Sequence, residues 1–140
     1  MKLLRLLFIA LIILINSTAD NLNPDHCTIK YVDAKDNKNW EHFNKEQLEL
    51  LQKEVTAGHQ TWRNSSEEYA RVFLEVYYGL IGERTALIPQ GKVLFEEERS
   101  AFIKFEFFNR KHIVELAAPV NSHSQGGIWI AKRMIIKNLE

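Results

Sequence analysis

AFIKFEFF, residues 101–108, sets the class of fold. Ile103, Phe105 and Phe107 fall on one side of an extended chain and Lys104 and Glu106 on the other. This period of two marks a half-buried strand. Phe102 and Phe108 share the polar side. The sheet is therefore expected either to be partly covered on both faces or to expose an aromatic patch.

The same period continues downstream. Asn109-Arg110-Lys111 reads as a turn, and His112 to Ala118 (HIVELAA) alternates again, with Val114, Leu116 and Ala118 on one face. Short polar turns between alternating runs predict antiparallel hairpins. Pro119 to Gly127 has the composition of a loop, and Ile128 to Ile136 (IWIAKRMII) reads as the last and most apolar strand. Upstream, Thr85 to Phe95 is expected to form two short strands around Pro89-Gln90-Gly91, or one broken edge strand.

Before residue 82 the period is helical. Asn44 and Gln47 have the spacing of a capping box, Phe43 and Leu48 that of a hydrophobic staple. Leu48, Leu51 and Val55 form the apolar stripe, Glu49 and Lys53 an i,i+4 pair, and Gly58 a left-handed stop, so a helix is predicted over 45–57. Ser65-Ser66-Glu67-Glu68 starts a second helix, predicted over 66–79. Its broad apolar face runs through Tyr69, Val72, Phe73, Val76, Tyr77 and Leu80. Two helices followed by a three- to four-stranded antiparallel sheet define an α+β domain.

The N-terminus carries a different message. Lys2 and Arg5 precede the apolar run Leu6 to Ile15 (LLFIALIILI), followed by Asn16-Ser17-Thr18-Ala19. This is the pattern of a secretory signal peptide, expected to be cleaved before Asp20. The run is short for a spanning helix, which needs about 20 apolar residues; an uncleaved membrane anchor is the alternative. The expected organisation is a signal peptide at 1–19, a linker at 20–41 with a short strand at Thr28 to Val32, and the α+β domain at 42–140.

Composition narrows the function classes. Lys plus Arg equals Asp plus Glu at 18 each, and loss of Lys2 and Arg5 would leave 16 against 18, a charge of −2. Such a balance gives no general attraction to nucleic acid or to an anionic membrane. Cys27 is the single cysteine, so no disulfide forms within one chain, and an intermolecular thiol is its notable use. The five histidines lack metal-site spacing, and no nucleophile elbow or phosphate loop is present; no metal or cofactor is expected.

Two strings carry a resemblance. Gly58-His59-Gln60-Thr61-Trp62-Arg63 and Gly126-Gly127-Ile128-Trp129-Ile130 resemble segments of small secreted proteins of unknown function from spore-forming Gram-positive bacteria. The helix-helix-meander order over residues 42–137 resembles the cystatin-like and NTF2-like (nuclear transport factor 2-like) α+β rolls. That resemblance implies a cone-shaped sheet wrapped round a helix, sometimes with a pocket, and no particular reaction. Enzymes of this group usually carry Asp, His or Tyr at inward strand positions, whereas the inward positions here are mainly apolar.

His59, Trp62, Arg63 and Trp129 are the candidate binding residues. Trp and Arg dominate binding hot spots, and Arg grips a carboxylate or phosphate bidentately. The same residues also suit a structural role. Trp62 would then plug the core, Arg63 would cap the first helix or pair with Glu67, and Trp129 would fill the sheet. The reading is a secreted, non-enzymatic domain that binds a protein, a peptide or a cell-envelope component. The alternative is a small pocket enzyme or ligand carrier using Tyr77, His112 or Glu115; a third is a secreted inhibitor or a dimer using Cys27 or a free sheet edge.

Overall fold

Both helices begin where their caps place them. Asn44 Oδ1 accepts from the Gln47 amide while Gln47 Oε1 accepts from the Asn44 amide, both at 2.9 Å, and α1 runs over Lys45–Thr56. The Ser65 hydroxyl accepts from the Glu68 amide, and α2 runs over Ser66–Tyr78 before Gly79 turns left-handed at φ +64°. These are local bonds between neighbours in sequence. One expected pair differs: Glu49 faces back to Lys45 at 3.9 Å; in α2, Arg71 and Glu75 meet at 4.0 Å.

The computed structural model describes residues 29–139. The expected export segment, its cleavage site and Cys27 lie outside them. The described residues form an α+β fold with a five-stranded antiparallel sheet: β1 (Ile29–Asp33), β2 (Lys92–Glu97), β3 (Ser100–Phe107), β4 (Arg110–Ala117) and β5 (Ile130–Asn138). Strands β2 to β5 form a meander, and β1 adds beside β5, giving the order β1-β5-β4-β3-β2. The stretch expected as a linker therefore enters the domain at Ile29. Tyr31 pairs with Ile135 and Val32 with Met134, and Trp40 packs edge-on against Tyr69 and Phe73. This pairing spans about a hundred residues, too far for local signals to reveal. Of the two strands considered for 85–95, one forms, at Lys92–Glu97; Gly82–Leu87 makes 3-10 turns instead.

Helix α2 lies across one face of the sheet. Tyr69, Ala70, Phe73 and Leu74 are fully buried against Ile103 and Phe105 of β3, Val114 and Leu116 of β4, and Met134 of β5. The four residues of β3 and β4 are ones the period of two selected. On the opposite face Phe102 is buried too, whereas Phe108 lies in the turn, 46% exposed, with its ring edge-on to Tyr78 of α2, so the two rings have different fates. The β3–β4 turn also lies one residue earlier than Asn109-Arg110-Lys111. Phe108 and Asn109 are its two central residues, at φ +51° and +53°.

Helix α1 is peripheral. Leu51 and Val55 pack on Ile128, with Phe43 and Leu48 alongside, in a small cluster of their own. Gln52 fastens it: its amide donates to the Gly126 carbonyl and accepts from the Ile128 amide, both at 3.0 Å. The loop that Gln52 grips requires glycine at 127, where a Cβ would meet the Asn121 carbonyl oxygen at 2.1 Å.

Candidate functional site

The link between the helices, residues 59–64, is built around Arg63. Its Nη1 donates to Glu41 Oε2 and its Nε to Gln60 Oε1, both at 2.8 Å, and Nη2 bonds the second Glu41 oxygen. The pair is bidentate, the strong form of this contact. The guanidinium lies 4.4 Å from the Trp62 ring centre, and Trp62 stacks on Tyr69 at 5.5 Å. The Tyr69 hydroxyl donates to Glu41 at 3.2 Å. Burial pushes the Tyr69 hydroxyl well above its usual pKa, and the Glu41 charge adds to the effect. For Arg63, burial lowers the pKa, but the hydrogen bonds and charge of Glu41 outweigh it and the net shift is upward.

Trp129 belongs to the same assembly. It is fully buried, its amide donates to the Arg63 carbonyl at 3.0 Å, and its indole N–H donates to the Asn64 carbonyl at 3.2 Å. Of the four candidate binding residues, Trp62, Arg63 and Trp129 are thus brought together, but as a clamp between α2 and β5. Arg63 is 4% exposed and has no fork left for a ligand. Its partner is Glu41, not Glu67, which instead accepts from the Gly91 amide at 2.9 Å. His59 is exposed and stands apart. No sequence spacing links Glu41 to Arg63; the fold alone brings them together.

The residues of the enzyme alternative do not converge. His112 is fully buried on the α2 face, where Nε2 meets the Tyr78 hydroxyl at 2.6 Å and the ring stacks on Phe107 at 4.2 Å. Burial pushes its pKa down to about 4, so the ring is neutral at pH 7 and Nε2 accepts from Tyr78; the backbone near Phe105 and Arg110 pulls the other way and loses. Nδ1 is left without a hydrogen bond. Glu115 lies on the opposite face, paired with Arg133 across β5. Tyr77 takes the Lys30 ammonium on its hydroxyl at 3.2 Å.

The register supplies one recess. Between Glu115 and Leu116 the β4–β5 pairing skips Lys132, a bulge beyond which the pairing continues at Ala131 and Ile130. A cleft of about 510 Å³ opens there, lined among the described residues by Asp33, Lys35, Glu41, His42, Phe43 and the stretch Ile130 to Arg133. Lys35 pairs with Asp33 at 3.5 Å. The described residues hold no cluster of three or more His, Cys, Asp or Glu suited to a metal ion, and no helix among them is long and apolar enough to cross a membrane. The chain matches no family model, and neither a curated protein nor a solved structure matches it.

Proposed function

We propose that the protein is an exported, non-enzymatic domain that binds a protein, peptide or cell-envelope component, and that the cleft beside the β5 bulge receives it. The observation that carries this reading is the lining of that cleft. Positive side chains (Lys35, Lys132, Arg133), negative ones (Asp33, Glu41, Glu115) and the apolar Phe43 and Ile130 share one recess. Such a mixture suits an extended peptide or envelope fragment that bears both charges and an apolar side chain, since few placed polar groups beside apolar surface confer orientation. The export reading rests on Lys2, Arg5 and the run Leu6 to Ile15. A cystatin-like or NTF2-like roll is the finer fold reading; its support is the pair of bulges in β2–β3 and β4–β5, since a bulge bends and twists the strand that carries it.

The test is retention on peptide arrays and on isolated cell-wall material. Wild type should be retained, and K35E/K132E, which inverts two exposed charges of the lining, should lose at least tenfold in apparent affinity. Equal retention of both proteins would rule out the cleft as the binding site.

A further inference from the structure

Charge is balanced over the whole chain but not over the sheet. At the register positions nearest the β3–β4 turn, the described strands bring together Lys92, Lys104, Lys111 and Lys137, with the carboxylate Glu106, on the face away from α2, and Lys30 and Arg110 on the α2 face. Lys92 stands directly across from Lys104, and Lys111 across from Lys137. Like charges directly across a strand pair repel one another. Glu106 bonds Lys104 at 2.8 Å, and its carboxyl is held below the usual range by that bond and by the charges of Lys104, Lys111 and Lys92. Of the carboxylates that α2 and the following turns carry toward this end, Glu75 is held by Arg71 at 4.0 Å, and Glu83 is followed by Arg84.

Exposed apolar rings sit beside these cations. Phe108 occupies the first central position of the two-residue turn at φ +51° and is 46% exposed. Asn or Gly is the usual occupant there, because a side chain with a bulky ring is strained in left-handed backbone. The tip is fixed: Leu139 N–H donates to the Asn109 carbonyl at 2.9 Å, and the Asn109 amide donates to the Leu139 carbonyl at 3.2 Å. Tyr31 and Ile29, at the end of β1, are 61% and 41% exposed.

We propose that this end of the sheet docks on an anionic phospholipid surface, its lysines facing the lipid phosphates and Phe108 entering the headgroup layer. A sheet end with cations on both faces and an exposed ring at its tip matches a charged interface, where cations gain from the surface potential and rings settle at headgroup depth. The surface is separate from the cleft, and this inference holds whether or not the cleft binds a peptide.

The experiment is co-sedimentation of the full chain with vesicles of phosphatidylcholine alone or mixed with phosphatidylglycerol. Three variants keep the N-terminal apolar run in common. K92E/K111E should lower partition onto phosphatidylglycerol vesicles by roughly tenfold. K45E/K53E on α1, with the same change in net charge away from this surface, should stay within about twofold, and F108S should lower partition by roughly threefold. Circular dichroism confirms that each variant is folded. Equal losses for the two double reversals, or equal wild-type partition onto both kinds of vesicle, would overturn the proposal; the second result would leave a protein as the partner of this surface.

Discussion

Where α2 begins, Arg63 is enclosed by Glu41, Gln60, Trp62 and Tyr69, Ser66 bonds Glu96, and His123 meets Glu96 at 2.9 Å. Where α2 stops, His112 is enclosed just as tightly, but by Tyr78 and Phe107, with Arg110 as the charge that acts on it. The first end buries a charge and supplies the counter-charge. The second buries a titratable ring and sets a cation near it. A buried ion pair is costly to break from one side, and a buried neutral imidazole is costly to protonate. The two ends should therefore fail under different conditions.

The largest effect should come from removing one partner at the first end. Arg63→Ala leaves Glu41 half-buried without its cation, and should lower unfolding free energy by about 3 to 5 kcal/mol, read from the urea midpoint. If the loss stays near that of a surface substitution, the clamp does not distinguish the ends.

Acid should act at the second end. Above about pH 6.5 His112 is neutral in both folded and unfolded chains. Below it the unfolded ring takes up a proton that the folded ring refuses until about pH 4. Stability therefore falls as pH drops through that window, by at most about 3 kcal/mol. His112→Phe should flatten this part of the thermal-midpoint profile, and hydrogen exchange at pH 5 should rise first around 76–82 and 107–112. An unchanged profile in the variant would remove His112 from the account.

Two smaller changes sharpen the first end. Gln52→Ala strands the Gly126 carbonyl and the Ile128 amide, at a cost of about 1 to 3 kcal/mol. Asn44→Ala removes only the cap of α1 and should cost about 1 kcal/mol. Helix α1 touches the rest through one small cluster, so Gln52 should matter more than the cap; calorimetry that ranks them the other way would mean that α1 is held by its own propensity.

The local chemistry of the chain was enough to place both α-helices of the described region, their caps, the alternating faces of β3 and β4, and the burial of Phe105. His112 shares the parity of Val114 and Leu116, so its place on the buried face was also open to reading; Tyr78 as its partner was not. Each of these signals lies within a few residues of its effect, because caps, turns and periodicity act between near neighbours. The tertiary structure alone decided that Ile29–Asp33 closes the sheet beside β5, that Arg63 finds Glu41 and not Glu67, and that a chain of zero net charge brings six of its cations to one end of the sheet. Sequence distance carries no information about which side chains become neighbours when strands far apart align, and composition sums charge without regard to where folding puts it.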